Sequence, residues 1–215
     1  MKPRRYGIST PGKSWNHPRK VQARSETIIH AVHCVHGKSI PKDGQYYTLC
    51  GRSVGPNTEF DQIIKAGIAT PNQFYGIEIN PDIYEENISV DTGAHFINED
   101  FYDALVERSN AGDFVPAVVN FDTTSMPKKA AKSFVDILLL LTEIEITFPI
   151  LYLVNVVLSC YNRRDTIENF INRISNEPGF GPSYESWSFS GHYYEYQGTG
   201  DKSTTKMGTI AMVRS

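Results

Sequence analysis

The feature that most restricts the fold of this chain is a steady exchange between short apolar runs and helix-patterned segments, from about residue 46 to residue 174. Residues 46–50 form the first apolar run. Residues 57–66 follow with Phe60, Ile63 and Ile64 on one helical face and Gly67 as a stop. A strand is expected over 74–79. Asn80-Pro81 then opens a helix that runs towards residue 89, because proline suits a first helical turn. The same reading gives a strand at 95–97, a helix at 101–108, a valine-rich strand at 115–121, a long helix at 127–143, a strand at 150–157 and a helix at 163–174. Alternation of this kind predicts an α/β fold, a doubly wound and mostly parallel sheet with helices on both faces. The end of the chain differs. Ser186, Ser188 and Ser190 alternate with Trp187 and Phe189, a turn is expected at 198–201, and residues 207–213 make a last strand. A closing antiparallel hairpin at one sheet edge is the expectation.

Length and composition set the class. A chain of 215 residues with 40% hydrophobic residues can bury one good core. Its apolar stretch, 137–158, is interrupted by Glu143, Glu145 and Pro149, which indicates a buried helix followed by a buried strand rather than a membrane span. Cys34, Cys50 and Cys160 lie far apart without CxxC spacing, and residues 1–24 hold no apolar run. Both features lead us to expect reduced thiols and a cytoplasmic protein.

Charge is uneven. Net charge is −3, yet residues 1–40 carry Lys2, Arg4, Arg5, Lys13, Arg19, Lys20, Arg24 and Lys38 against Glu26 alone. Residues 1–24 are read as an extended basic arm, with Pro3, Pro11 and Pro18, ahead of a domain at 25–215. A helix is expected from Ser25 to about Val35. The arm suggests an anionic partner, with nucleic acid contacted through Arg4, Arg5, Lys13, Arg19 and Lys20. A tail that is merely solvated, or folded onto its own acidic body, fits the same charges.

In an open parallel sheet, ligands lie outside the carboxyl ends of the strands. The first strand ends in Cys50-Gly51-Arg52-Ser53, a turn that can approach a ligand because Gly51 has no side chain. The second ends in Glu78-Ile79, and an acid there can accept from both hydroxyls of a ribose or cap the helix that follows. The third ends in Asp100-Phe101, where a carboxylate can accept from an adenine amino group and an aromatic ring can cover the base. The fourth ends in Asn120-Phe121-Asp122-Thr123, a polar cluster facing a reacting group. Asp122 is equally suited to capping the next helix.

This order resembles the class I S-adenosylmethionine-dependent methyltransferase family over about residues 25–215. The resemblance implies a seven-stranded sheet and S-adenosylmethionine as cofactor. Cys50, Gly51, Arg52 and Ser53 would hold its methionine part, Glu78 with Ile79 its ribose, and Asp100 with Phe101 its adenine. Asn120 and Asp122 would stand at the acceptor side, Asn120 also against the cofactor, with Asp122 orienting or deprotonating the acceptor. The chain departs from the family in lacking an acid before Gly51, in carrying Asn120-Phe121-Asp122-Thr123 where amino-group methylases have Asp/Asn-Pro-Pro-Tyr/Phe, and in having no Pro-Cys dipeptide. Two functions remain open: a methyltransferase acting on nucleic acid, or a non-catalytic module of the same fold that binds nucleic acid or protein. A nicotinamide oxidoreductase fits less well, since Gly51-Arg52-Ser53-Val54-Gly55 does not satisfy G-x-G-x-x-G.

Three further signals point elsewhere. Gly7 to Ser14 spells G-x-x-x-x-G-K-S, but no apolar strand precedes it. His30, His33, Cys34 and His36 lack a second ligand cluster, so packing onto the sheet is expected and no metal. Trp187, Phe189, Tyr193, Tyr194 and Tyr196 alternate so that at least half face a core, while Tyr193 or Tyr194 could edge an acceptor pocket.

Overall fold

The computed structural model describes residues 18–122, 127–160, 163–164, 166–177, 186–197 and 204–215. One mixed sheet organises them. Its strands are β1 (Gln45–Leu49), β2 (Phe74–Ile77), β3 (His95–Ile97), β4 (Pro116–Asp122), β5 (Ile150–Cys160), β6 (Arg163–Arg164), β7 (Trp187–Gln197) and β8 (Thr204–Arg214). The order across the sheet is β3-β2-β1-β4-β5-β8-β7, with two-residue β6 paired to the end of β5. The β3 to β5 part is parallel, and β8 and β7 are antiparallel. The expected doubly wound sheet with its closing hairpin is what forms: seven main strands, plus the small β6 that the sequence did not announce.

Strand chemistry explains the burial. Parallel strands are covered on both faces. Tyr46 and Tyr47, on opposite faces of β1, are both fully buried. Tyr47 lies in a core with Ile77, Val119, Phe134 and Tyr152, beneath the helices α4 (Phe101–Ala111), α5 (Pro127–Glu143) and α6 (Ile167–Ser175). Tyr46 lies in a second core with Phe74, Val118 and Leu153. That core is covered by α1 (Pro18–His36) and α2 (Glu59–Lys65), while α3 (Pro81–Ile88) packs beside β3. In α5 the buried Ala131, Phe134, Val135, Leu138 and Leu141 follow the helical repeat, and Trp187 donates from Nε1 to Thr142 Oγ1 at 3.0 Å. Trp187 is therefore a packing residue, as expected. Among the described residues no helix is long and apolar enough to cross a membrane.

Several boundaries differ from expectation. Helix α1 begins at Pro18, so Arg19, Lys20 and Arg24 lie in its first turns rather than in an extended arm. The breaker at position 18 acts as a helix starter, since a first-turn residue needs no N–H partner. Residues 163–164 pair with β5, and the following helix starts at Ile167 behind its cap Thr166, whose Oγ1 accepts from Asn169 N at 3.1 Å. Strands β5 and β7 run longer than their hydrophobic patterns. Pairing to β8 extends both, continuously in β7 from Trp187↔Arg214 to Gln197↔Thr204, and in β5 with an irregularity between Val157 and Ser159 before the last pair, Ser159↔Lys206.

Candidate functional site

The strand order reverses between β1 and β4, and the site lies at that switch point. Register places the candidates on one rim. Leu49 pairs with Ile77 and Ile77 with Ile97, while Thr48 pairs with Asn120, one residue before Phe121. The next residues outward are Cys50, Glu78, Asn98 and Asp122. Four strand ends separated by up to about seventy residues of sequence thus open on the same edge of the sheet.

The first turn is held from outside by Asn87 on α3. Its Oδ1 accepts from Ser53 N at 2.9 Å and its Nδ2 donates to Gly51 O at 2.8 Å. Ser53 itself is fully buried, its Oγ donating to Cys50 O at 3.2 Å. Thr58 closes the other side. Its hydroxyl donates to Ser53 O at 2.7 Å and accepts from Asp61 N at 3.2 Å as the cap of α2. Gly51 sits at φ +53°, and a Cβ there would meet nothing within 4 Å, so the backbone faces open space. Burial pushes the Cys50 thiol up to about 12, which leaves it a neutral, unreactive lining group. Arg52 lies outside the turn, paired to Glu86 at 2.8 Å with both side chains about half exposed.

Glu78 is 8% exposed. Burial raises its carboxyl above the usual glutamate range, and the N–H groups of Asn80 and Ile79 pull against that rise. The Asn80 N–H reaches Oε1 at 2.7 Å. Glu78 therefore does steady the start of α3, although the N-cap is Asn80, whose Oδ1 accepts from Asp82 N at 3.0 Å. Ile79, beside it, is an aliphatic side chain 44% exposed at the rim. Asn98 Nδ2 donates to Glu78 O at 2.7 Å and clips the third strand end to the second. Asp100 is partly exposed and caps α4, accepting from Tyr102 N at 3.0 Å. Burial, then Glu107, Asp103 and Asp100 in turn, raises the neighbouring Glu99 carboxyl.

Two expectations need correction. Phe101 does not present its ring at the rim: it is 5% exposed and stacks on Phe121 with centroids 5.5 Å apart. Asn120 is fully buried and cannot touch a ligand. Its Nδ2 donates to Glu59 Oε1 at 2.9 Å and to Thr48 Oγ1 at 3.3 Å, and its Oδ1 accepts from Asn155 Nδ2 at 3.0 Å. Tyr46 OH also donates to Glu59 Oε1 at 2.8 Å, and Thr209 Oγ1 donates to Asn155 Oδ1. Buried polar atoms must be paired, and this row pairs them across β1, β4, β5 and β8 just under the rim. Asn120 is thus a beam beneath the site, while Asp122, half-buried and in register with Asn155, ends β4 at its edge.

Glu59 and Asn87 escaped the sequence reading. An acid in the first turn of a helix reads as a dipole complement, and an Asn late in a helix reads as surface. A polar residue spaced to the buried face of each helix was the available signal. The histidine cluster is also corrected. His30, His33 and Cys34 are exposed on α1, and only His36 meets the sheet, its Nε2 3.2 Å from Ala117 O. Among the described residues no group of three metal-ligating side chains gathers. Arg4, Arg5, Lys13 and the stretch from Gly7 to Ser14 lie outside the described residues, as does Thr123.

The chain matches no family model, and no curated protein matches it in sequence. Solved structures do match its fold. The plantazolicin methyltransferase BpumL, in complex with a triazolic desmethylPZN analogue and SAH, superposes with a TM-score of 0.58 at 9% identity, over 92% of this chain and 86% of that one. BpumL with SAH alone gives 0.54 at 8% identity, over 92% and 90%. M. jannaschii TYW2 in complex with AdoMet gives 0.52 at 12% identity, over 90% and 76%. With the parallel core, the switch point at β1 and β4 and the antiparallel pair at the edge, these likenesses establish that the chain has the class I S-adenosylmethionine-dependent methyltransferase fold.

Proposed function

We propose that this chain binds S-adenosylmethionine along the carboxyl rim of its sheet and methylates a nucleic acid in the cytoplasm. The observation that carries the reading is the convergence of the Cys50–Ser53 turn, Glu78 and Asp100 on one edge of a fold shared with methyltransferases solved with SAH or AdoMet. The residues present fit such a cofactor. Gly51 leaves the turn open to close approach, Glu78 is a buried acceptor suited to paired hydroxyls, and exposed Ile79 offers an apolar surface to a flat base. Cys50, Arg52 and Ser53 would flank the methionine end, and Asp100 would meet the base at its edge.

When bound, S-adenosylmethionine supplies a methyl group already activated by a sulfonium, so positioning does most of the remaining work. In this reading Asp122, at the end of β4, would orient the acceptor nucleophile and take its proton on a carboxylate oxygen. The basic residues of the N-terminal region, Arg4, Arg5, Lys13, Arg19 and Lys20, suit a phosphate backbone. A second reading, a non-catalytic module, draws support from Phe101 and Asn120, both of which serve packing rather than the rim.

The test is a melting experiment with S-adenosylhomocysteine, then transfer of a labelled methyl group to RNA and DNA pools. A ligand at a hundred times its Kd stabilises by about 2.7 kcal/mol, a clear rise in Tm. No rise at millimolar ligand sinks the cofactor reading. A rise without transfer to any pool favours the non-catalytic module. Full turnover by Asp122→Ala removes that residue from the mechanism.

A further inference from the structure

Asn87 is 1% exposed in the last turn of α3, between the exposed Glu86 and Ile88. A primary amide buried so fully needs partners for its donors and its acceptor. It finds them in the turn after β1. Its Oδ1 accepts from Ser53 N at 2.9 Å and its Nδ2 donates to Gly51 O at 2.8 Å. Those two groups belong to consecutive peptide planes. The carbonyl of Gly51 lies in the plane before the Arg52 Cα, and the N–H of Ser53 in the plane after it. One side chain therefore holds both planes, and the two soft dihedrals of Arg52 lie between them. The amide supplies a donor and an acceptor side by side, as a pairing strand would.

The turn does not hold itself by its own backbone. Residues 51–57 form no backbone-to-backbone hydrogen bond with one another, and Gly51, Gly55 and Asn57 all sit at positive φ. Ser53 Oγ donates to Cys50 O at 3.2 Å, and Thr58 Oγ1 donates to Ser53 O at 2.7 Å and Gly55 O at 3.0 Å. These ties are local: they bind the turn to itself and to the start of α2. Asn87 binds it to a different strand end, since α3 is anchored at its other end on β2. There Asn80 N donates to Glu78 Oε1 at 2.7 Å, and Asn80 caps the helix. Glu78 has a further tie of its own, from Asn98 Nδ2 to its carbonyl at 2.7 Å.

We infer that Asn87 is a positioning residue for the cofactor, holding the turn that takes the amino-acid end of S-adenosylmethionine while the adenosine end, served by Glu78, stands independently of it. The inference rests on the cofactor reading above. A turn fixed before the ligand arrives loses little further freedom on binding, so the amide adds affinity without touching the ligand. Alanine at this position removes both bonds. Aspartate keeps an acceptor for Ser53 N, but when ionised it turns a second oxygen towards Gly51 O, and only when protonated does it regain a donor.

The test titrates two ligands into the full chain by calorimetry: S-adenosylhomocysteine, and methylthioadenosine, which keeps the adenosine and lacks the amino acid. Wild type should bind both. Asn87→Ala should weaken S-adenosylhomocysteine about tenfold and methylthioadenosine less than about threefold. A purely structural amide would leave the ratio of the two affinities unchanged. Asn87→Asp should show the same split at neutral pH and recover towards wild type as pH falls. Read as a ratio to wild type at each pH, the recovery is free of the trend that Glu78 sets. Burial and the acids Glu59, Glu78 and Glu86 favour the protonated form of the introduced carboxyl, and Arg52, paired with Glu86, opposes it. The Cys50 thiol, 3.6 Å from Nδ2 and pushed up to about 12, stays neutral throughout.

Three results overturn the inference while the cofactor reading stands: equal weakening of both ligands, S-adenosylhomocysteine affinity in Asn87→Ala within about threefold of wild type, or no recovery of Asn87→Asp at low pH. Failure of wild type to bind either ligand sinks the cofactor reading and the inference with it. If neither variant folds by circular dichroism, the wild-type Ser53 amide decides. Slow hydrogen exchange there without ligand supports a turn fixed in advance, and fast exchange overturns it.

Discussion

The two halves of the rim are built in different ways. On the β1–β3 side the strands are short and the connections are tied by side chains reaching backbone: Asn87 to Gly51 and Ser53, Thr58 to Ser53, Asn98 to Glu78. On the β5–β8–β7 side the backbone ties itself, by continuous antiparallel pairing over eleven residues. The first construction fixes a small set of polar groups to one geometry, which suits a constant ligand. The second rests its hold on the backbone ladder, so little of it depends on side chains reaching across.

The largest way to break that contrast is at the seam. Glu59→Ala takes the Oε1 acceptor from Tyr46 OH and Asn120 Nδ2, leaving Asn120 its longer bond to Thr48, and should cost about 3 kcal/mol in urea unfolding with an unchanged m-value. A cost below about 1 kcal/mol would mean that the two halves are not joined there. Gly76→Ala acts inside the short-strand half. Its Cβ would meet Phe96 Cδ1 at 2.8 Å and Cys50 Sγ at 2.9 Å, and overpacking of this kind should cost about 2 kcal/mol. The m-value should not change, and a lower one would show that the short-strand half unfolds apart from the rest.

Gly51→Ala meets no atom but must hold a positive φ, so about 1 kcal/mol is expected, with a larger fractional loss in the S-adenosylhomocysteine Tm rise. Glu78 sets a pH dependence of smaller size. Its folded carboxyl is raised, so protonation favours the native state, and this contribution is present at low pH. It is lost as pH climbs from the ordinary glutamate value of 4.5 through the folded one. Ribose hydroxyls donate to the ionised form, so ligand-induced stabilisation should run the other way and weaken as pH falls through the same window. Glu78→Gln should remove both trends, and a Tm rise with unaltered pH dependence in that variant would exclude a ribose contact. Arg52→Ala, at a half-exposed ion pair, should change stability by less than about 0.5 kcal/mol.

Much of the short-strand half was legible before any coordinates. Asn80-Pro81 and Asp100 carry the cap chemistry that marks where strands end and helices begin, and those positions are also where ligands lie. The long-strand half was less legible. β5 beyond residue 157, β6 and the second half of β7 are polar, and their strand state comes from pairing partners far away in sequence. Phe101 and Asn120 failed for a related reason. A residue near a strand end or in the first turn of the helix that follows can face outward or inward, and only the neighbouring Phe121, Glu59 and Asn155 decide which.

The row Glu59–Asn120–Asn155–Thr209 has a consequence for descent. Each member completes the valence of the next, so a single replacement takes a partner from a neighbour, whereas replacing all of them by hydrocarbon groups of matching volume, with Tyr46 and Thr48 changed to apolar residues as well, removes donors and acceptors together. Lineages should therefore keep the quartet whole or discard it together, and a cousin with leucine at position 120 should have lost its acid at 59 as well.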